Sequence, residues 1–425
     1  MIGLIAAILV DTSIVKVYDL VDKSFISTQS KGILFSANSM FCLILQFVLI
    51  RHIATSFKRP AFDLWYKVSL VSLCVLGALI GLLVFQQFYN NYYDNSIAIF
   101  IVIISYGIAA LFIARLSLLF ISWYKSNRSL IVFLYFISML FIALNLVTTA
   151  VLTSLIINDR PSQVREFVGG SADISVGKYT FVRNLYKISS VISFASIWAT
   201  TAILVNYYRE RSIGTVIYWI ILALPLFYYI ANVFYQFIII NMLNPYLTID
   251  PVTVSIILTA FLSLSEPIGG LVFAFGFWKI SKIISYEKNI KTYMVISGWA
   301  IFLIFGADQA IVQTQIESPY PPFGLVTLTI LNVAAFLMLV GVYNSARLVS
   351  ANNELRRFIH KQALESRLLS TIGHAEMEKE IQKAVAKITQ DKHKLEIETA
   401  QPIQLDEREL KKYIDLVVRE VKKQE

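Results

Sequence analysis

The sequence predicts an all-α fold, in which a polytopic bundle of about nine transmembrane helices precedes a small, mostly helical cytoplasmic tail. Of its 425 residues, 57% are hydrophobic and only 15% are charged, whereas soluble domains contain roughly 25% charged residues. The charged residues concentrate in 346–425, and before them apolar runs of about twenty residues recur. This composition excludes a chain of soluble domains and predicts an integral membrane protein.

Nine apolar runs are long enough to become membrane-spanning helices, because a backbone in lipid must satisfy its own hydrogen bonds. The predicted spans are 33–50, 68–88, 96–122, 129–157, 188–208, 214–242, 252–278, 293–312 and 325–346. They divide the chain into an extracytoplasmic N-terminal segment (1–32), a transmembrane bundle (33–346) and a cytoplasmic tail (347–425). The apolar residues 1–10 are too few to span a bilayer, so we expect an interfacial or loosely packed segment there.

The charges of the loops predict the orientation of the spans. Basic residues occur in the loops at 51–67, 123–128, 209–213 and 279–292, whereas those at 89–95, 243–251 and 313–324 contain none. The N-terminal segment and the loop 158–187 also carry basic residues and are exceptions to this pattern. Lys and Arg accumulate on the cytoplasmic side of a membrane. We therefore expect a multi-pass cell-membrane protein with its N-terminus outside and its C-terminus in the cytoplasm. The net charge of +9 comes mostly from basic loops that orient the spans, so it predicts no nucleic-acid partner.

The seventh span carries an acidic residue near the predicted middle of the bilayer. Glu266 shares one helix face with Thr259 and Ser263, at spacings of seven and three residues. Pro267 predicts a kink beside it, and the glycine pair at 269–270 predicts the close approach of another helix. Two interpretations stay open: a proton-titrating or cation-coordinating carboxylate that lines the bundle interior, or a protonated acid that fixes helix packing.

Two more charged residues fall inside predicted spans and complete the candidate intramembrane polar site. Asp308 lies roughly 9 Å outward from the centre of the eighth span, where we expect a boundary residue that reaches water. Arg115 lies a comparable distance inward in the third span. Its guanidinium either extends to the cytoplasmic interface or pairs with Glu266 as a counter-ion.

Hydroxyl and amide side chains recur at helical spacing in the fourth and fifth spans. They are Ser138, Asn145 and Thr149 in the fourth, and Ser189, Ser193, Ser196 and Thr200 in the fifth. Small and hydroxylated residues are the usual chemistry of helix contacts in lipid, so we interpret both stripes as helix–helix interfaces.

The tail predicts a different kind of structure. A helix is expected to continue the ninth span to about Leu369, and a second to cover about 374–390. Residues 393–405 suggest an extended pair or a loop, and Asp406 predicts the N-cap of a last helix. Apolar stripes on these helices predict self-association or docking to a cytoplasmic protein through 347–425. A small self-contained helical domain is the alternative.

The stretch TIGHAEMEKEIQKAV at 371–385, together with the general layout, resembles uncharacterised archaeal multi-spanning membrane proteins that end in a charged helical tail. No activity is known for that group, so the resemblance implies an architecture and no functional residues.

We expect a non-enzymatic sensor or adaptor of signal transduction, because the last span leads directly into amphipathic helices. No Walker loop, HExxH, GxSxG or CxxC motif occurs in the sequence. Neither a catalytic residue nor a cofactor or metal is therefore predicted, and the lipid bilayer is the main expected partner. The alternative is a transporter or an ion- or proton-conducting protein that uses Glu266.

Overall fold

The computed structural model describes residues 2–8, 10–11, 28–56, 63–90, 93–158, 180–206, 215–233, 264–284, 287–317, 324–352, 355–356, 359 and 367–399. Ten helices lie within these ranges: α1 (Thr28–Ser56), α2 (Asp63–Asn90), α3 (Asn95–Ser126), α4 (Leu130–Asn158), α5 (Thr180–Val205), α6 (Thr215–Val233), α7 (Ser265–Ile283), α8 (Lys288–Glu317), α9 (Leu325–Ala351) and α10 (Arg367–Thr399). Residues 2–8 and 10–11 are also helical and are called the N-terminal segment. No strand occurs in the described ranges.

Seven of the described helices are long and apolar enough to cross a membrane, namely α1 to α5, α8 and α9. Each of the nine predicted spans overlaps one helix, from α1 to α9 in order. A shorter apolar helix, Tyr218–Ala231, lies within α6. Residues 234–263, which the sequence assigned to the sixth and seventh spans and their loop, lie outside the described residues. The helical membrane bundle is confirmed, and the count of nine spans stays a prediction.

The last predicted span, α9, is the central helix of the bundle. It contacts α1, α2, α3, α8 and α10. Its apolar stretch is 100% buried, against 33% for those of α1 and α2. A helix that is apolar on all sides is stable only when other helices or lipid surround it. At Gly341 a β-carbon would collide with Ser297, so this glycine permits the close contact between α9 and α8.

Six helices close a ring of contacts in the order α3, α4, α5, α7, α8 and α9. Outside this ring, α6 packs against α5 and α7. Hydrogen-bonding side chains join α4 to α5. The hydroxyls of Ser138 and Thr200 are 3.3 Å apart, and the Ser189 hydroxyl donates to Oδ1 of Asn145 at 3.0 Å. These contacts confirm that the polar stripes of the fourth and fifth spans are helix–helix interfaces.

The N-terminal segment is packed against the bundle, so the expectation of a loosely packed segment is wrong, while its interfacial position stays a prediction. Leu4, Ala7 and Ile8 are buried. The Nδ2 atom of Asn38 in α1 donates to the carbonyl of Ala7 at 3.4 Å. The segment is too short to span a bilayer, but its apolar face is wide enough to pack against α1.

The side chain of Asp11 caps the N-terminus of α9 from a distant part of the chain. Its carboxylate accepts hydrogen bonds from the amides of Gly324 (2.9 Å) and Thr327 (3.2 Å) and from the Thr327 hydroxyl. The residue at the N-cap position is Gly324, which has a φ of 93° and no side chain that could cap the helix. Burial raises the pKa of the Asp11 carboxyl from 3.8 to about 6, although these three hydrogen bonds act in the opposite direction.

The tail differs from its prediction in two places. The α9 helix ends at Ala351, and Asn352 has extended backbone with φ −112° and ψ 110°. The Oδ1 atom of Asn352 accepts a hydrogen bond from the amide of Leu355 at 3.1 Å, and this local turn competes with continuation of the helix. The predicted continuous helix to Leu369 is therefore wrong.

The second difference concerns the residues after 390. The α10 helix continues to Thr399, so 393–399 are helical rather than an extended pair. The alternation of Leu395 and Ile397 is short, and the Lys, Glu and Leu residues around it favour a helix. Residues 400–425, with the helix predicted after Asp406, lie outside the described residues.

Candidate functional site

Glu266 lies in the first turn of α7, and only 3% of it is exposed. A helix N-terminus favours a carboxylate, because its free amides and dipole are positive. Pro267 lies in the same turn, where a missing amide hydrogen removes no helical hydrogen bond. Thr259 and Ser263, which were predicted to share a face with Glu266, lie outside the described residues. The depth of Glu266 in the bilayer therefore stays a prediction.

The glycine pair after Glu266 allows α7 to approach two neighbouring helices. A β-carbon at Gly269 would collide with the ring of Phe194 in α5. At Gly270 it would lie 2.9 Å from Cβ of Phe305 and 3.4 Å from the carbonyl oxygen of Phe302, both in α8. The predicted close approach at these two glycines is confirmed.

Asp308 is buried, with 7% of it exposed. The interpretation of Asp308 as a boundary residue that reaches water is therefore wrong. The α8 helix continues past Asp308 to Glu317, so the residue is not at the end of its helix. Its Oδ2 atom accepts a hydrogen bond of 3.1 Å from Nδ2 of Asn145 in α4.

Two further hydrogen bonds lie beside Asp308: one joins α4 to α5, and the other joins α5 to α6. The Ser189 hydroxyl of α5 donates to Oδ1 of Asn145 at 3.0 Å. On the next residue, the Ser190 hydroxyl forms a short hydrogen bond with the Tyr229 hydroxyl of α6. The Tyr229 ring stacks on Phe194, with ring centroids 4.0 Å apart.

Three tyrosines interact with both acids. The phenols of Tyr106, Tyr186 and Tyr229 interact electrostatically with both Glu266 and Asp308. We call the following residues the polar cluster: Tyr106, Asn145, Tyr186, Ser189, Ser190, Tyr229, Glu266 and Asp308. Six consecutive helices, α3 to α8, contribute to it. Sequence reasoning did not identify Tyr106 or Tyr186; the available signal was a tyrosine within or beside an apolar run.

Hydrogen-bonding capacity remains unused in the polar cluster. The Tyr106 hydroxyl approaches the Asp308 carboxylate without ordinary hydrogen-bond geometry. Among the described residues, neither this hydroxyl nor Oδ1 of Asp308 has a hydrogen-bond partner. A buried polar atom without a partner costs about 1–3 kcal/mol. The described ranges contain no group of three or more His, Cys, Asp or Glu that could hold a metal ion.

Arg115 does not join the polar cluster. Its side chain is exposed and interacts electrostatically with Tyr343 of α9. It lies nine residues from Tyr106, which is roughly 13 Å along α3. This placement agrees with a side chain that extends to the interface and does not support a pair with Glu266.

A second candidate site is the contact between α10 and the bundle. The α10 helix packs against α9, α3 and α4. Its buried residues are Leu368, Leu369, Thr371, Ile372, Ala375 and Glu376. At Gly373 the helices are so close that a β-carbon would collide with Val349 of α9. Together with Trp123, Val349 and Gly373, the buried residues form what we call the α10 interface.

One buried hydrogen bond and two looser ion pairs accompany the apolar contacts of the α10 interface. The fully buried Trp123 of α3 donates from Nε1 to Oε2 of Glu376 at 2.7 Å. Nζ of Lys379 lies 3.9 Å from the same oxygen. Arg347 and Glu380 are paired at 3.8 Å and are partly exposed, so they contribute little to stability.

The α10 interface shows what covers one of the apolar stripes predicted in the tail. Within residues 367–376, the apolar face of α10 is covered by the helices of its own bundle. The alternative of a self-contained helical domain does not describe this part of the tail. The chain matches no protein-family model, no curated protein and no solved structure.

Proposed function

We propose that this chain is a non-enzymatic membrane sensor or adaptor, in which the transmembrane bundle controls whether the tail helix α10 is bound or released. The observation that carries the proposal is the α10 interface. It attaches a charged helix to the central helix α9 through a small apolar face, and to α3 through the buried hydrogen bond of Trp123 with Glu376. Such a contact is strong enough to form and small enough to be reversible.

Continuous helices connect the polar cluster to the α10 interface. The α3 helix carries Tyr106 of the polar cluster and Trp123 of the α10 interface, 17 residues apart, which is roughly 25 Å. The α9 helix packs along both α3 and α8, and α8 carries Asp308. A small shift of α3 or α9 at the polar cluster therefore changes the surface on which α10 lies.

We place α10 in the cytoplasm and the N-terminus outside. Basic residues such as Lys125 at the end of α3 and Lys282 at the end of α7 support this orientation, and Arg183 and Lys187 at the start of α5 are exceptions to it. A cytoplasmic protein, or a second copy of this chain, would bind the face of α10 that the bundle covers. Signal transduction then consists of exposing that face.

Hydrogen exchange on the full chain in lipid nanodiscs tests the proposal. Asp308→Asn changes the polar cluster without touching α10. We expect the amides of residues 367–376 to exchange severalfold faster in this variant, because the surface formed by α3 and α9 shifts. Phe41→Leu, on the exposed face of α1, is the control. Equal exchange of α10 in native protein and Asp308→Asn would contradict the proposal.

A second candidate function is a transporter or an ion- or proton-conducting protein that uses Glu266. The observation that favours it is the second buried acid, Asp308, in the same polar cluster. Proteoliposome flux separates the two functions. Flux by the native protein that is lost in Glu266→Gln supports conduction, whereas equal flux in both proteins contradicts the use of Glu266.

A further inference from the structure

We propose that the bundle binds the headgroup of an anionic phospholipid at an opening in its wall, between Arg115 of α3 and Tyr343 and Arg347 of α9. We call these three residues the lateral opening. The ligand is a lipid phosphate of the leaflet that lies at the α10 end of the bundle. This inference goes beyond the proposed function, because it concerns a lipid bound to the bundle and does not require the release of α10.

The first argument is the pattern of exposure along the central helix. Every residue of α9 from Leu325 to Val342 is buried. In the next two turns Tyr343, Arg347 and Leu348 are partly exposed. Tyr343 and Arg347 are four residues apart and therefore lie on one face of the helix. The wall that the described helices form around α9 consequently has a gap at this face.

The second argument is the place where α2 begins. The Trp65 ring, in the first turn of α2, packs edge-on against Phe112 of α3 with centroids 5.9 Å apart. Phe112 in turn contacts Phe336 of α9 at 5.7 Å. The end of α2, Asn90, is close in sequence to the start of α3, so α2 runs from Phe112 back toward that start. The later turns of α3 and α9 are therefore not covered by α2.

The third argument is that the residues of the lateral opening continue the faces that α2 covers. Arg115 follows Phe112 by three residues, and Tyr343 follows Phe336 by seven, which are spacings of one helix face. Arg115 and Arg347 both interact electrostatically with the Tyr343 phenol. Two guanidinium groups from different helices therefore act on one phenol, directly beyond the end of α2.

The fourth argument is that Arg115 carries a charge that the described protein does not neutralise. It forms no hydrogen bond or ion pair with a described residue. Leu111 and Leu118 lie on the same face of α3 and are 59% and 57% exposed, so this face of the bundle is in contact with lipid. A guanidinium is costly in hydrocarbon and extends toward the interface, where the phosphates of phospholipids lie. Basic pockets between spans bind anionic headgroups in this way.

The fifth argument concerns the donors of Arg347, which the protein uses only in part. The Arg347 guanidinium lies 3.8 Å from the Glu380 carboxylate, and both side chains are partly exposed. A guanidinium has five N–H donors, and its planar fork fits the oxygens of a phosphate. Glu376 and Glu380 also act on the Tyr343 phenol, so the surplus of positive charge is small. The lateral opening therefore fits a headgroup with one phosphate rather than a polyphosphorylated one.

Native mass spectrometry of the full chain tests the lipid site. The protein is released from nanodiscs that contain phosphatidylglycerol and phosphatidylcholine in equal parts, with different acyl masses. We expect the native protein to retain one phosphatidylglycerol with at least a fivefold preference over phosphatidylcholine. Arg115→Gln should abolish this preference, because the charge that no described residue neutralises is lost. Lys125→Gln removes an exposed base near the end of the same helix and is the matched control, which should retain the preference.

Arg115→Lys keeps the positive charge and serves if Arg115→Gln fails to fold. We expect it to retain phosphatidylglycerol two- to threefold less than the native protein, because the planar fork is lost. Arg347→Gln should weaken retention by a similar factor. Equal retention of the two lipids by the native protein would overturn the proposal. So would native retention in the folded Arg115 variants, which would place the lipid elsewhere.

Added inorganic phosphate distinguishes a lipid headgroup from a free anion. A phospholipid is held by its acyl chains as well as its headgroup, so we expect millimolar phosphate to leave the retained phosphatidylglycerol in place. Displacement of the lipid by phosphate, with phosphate bound in its stead, would overturn the proposal of a lipid ligand.

Discussion

Helix α3 contributes residues to both the polar cluster and the α10 interface, but different forces act in the two regions. In the polar cluster, hydrogen bonds such as that between Asn145 and Asp308 join helices that are apolar elsewhere. The α10 interface buries Leu369, Ile372 and Ala375, and a hydrogen bond from Trp123 lies among these apolar contacts.

The surroundings explain this difference. Lipid tails are as apolar as Leu, so directional bonds and close packing hold helices together in a membrane. The α10 helix is rich in charged residues and is not among the seven apolar spans. In the cytoplasmic location that we propose for α10, removal of apolar surface from water contributes to its binding. We therefore expect the polar cluster to be sensitive to the loss of single hydrogen bonds, and the α10 interface to changes in apolar area and shape.

Ile372→Asp should break the α10 interface. A charge buried without a partner costs about 3–5 kcal/mol, so α10 should be released from α9 and α3. We expect the amides of residues 368–376 to exchange at least a hundredfold faster, while the polar cluster keeps its protection. Gln382→Asp, at an exposed position of α10, is the control and should change nothing. Normal protection of α10 in Ile372→Asp would mean that apolar contact does not hold it.

The Asp11 carboxyl should make the stability of the folded protein depend on pH. Its contribution therefore has to be known before the two regions are compared at different pH. Its pKa is raised from 3.8 to about 6 in the folded protein, so the folded state holds this proton more tightly than the unfolded chain. The free energy of unfolding should fall by roughly 3 kcal/mol as the pH rises between these two values and stay constant above them. Asp11→Asn retains an acceptor for α9 and should remove this slope. Denaturation in detergent at a series of pH values measures this slope. Equal slopes in both proteins would mean that folding does not raise the pKa of Asp11.

Asn145→Ala should weaken the polar cluster without affecting α10 directly. It removes the donor to Oδ2 of Asp308, at a cost of about 1–3 kcal/mol, while the Ser189 hydroxyl keeps its contacts with Thr148 and the Tyr186 carbonyl. Thermal unfolding in detergent measures the loss. Asn289→Ala, which removes an exposed amide at the start of α8, is the control and should be nearly neutral. A neutral Asn145→Ala would mean that these hydrogen bonds do not stabilise the bundle.

Trp123→Phe keeps the aromatic ring of the α10 interface and removes its buried hydrogen bond. A hydrogen bond to a charged acceptor contributes about 1.5–3 kcal/mol, although Lys379 lies close enough to compensate Glu376 in part. We expect roughly tenfold faster exchange of residues 368–376. If the bond is the cause, Glu376→Gln combined with Trp123→Phe should cost less than the sum of the single changes. Strictly additive effects would assign the loss to packing alone.

Much of the fold could be predicted, because the length of an apolar run is a local property of the sequence. Each predicted span overlaps a helix, and the glycine pair at 269–270 correctly predicted a close approach. Hydropathy does not reveal which helix the others surround, so the central position of α9 could not be predicted. Nor do local patterns report the contact of Asn145 with Asp308, 163 residues apart, or that of Trp123 with Glu376, 253 apart.

The candidate site was predicted in part for the same reason. An acid inside an apolar run is visible in the sequence, so Glu266 and Asp308 were identified as members of a polar site. Their surroundings depend on which helices become neighbours, and for this reason the burial of Asp308 was missed and the two alternatives for Arg115 could not be separated. The tail prediction missed the turn at Asn352, because one asparagine side chain decides it.

The cap that Asp11 provides for α9 also has a consequence during synthesis. The carboxylate and the Gly324 amide that it binds are 313 residues apart. At a rate of about 5–20 residues per second, the N-terminal segment emerges from the ribosome roughly 15–60 s before its partner. The helices made in between must leave a gap for α9 throughout that interval. A nascent chain that stops before residue 324 therefore has an unfilled centre, and quality control of the newborn protein is expected to act on that intermediate.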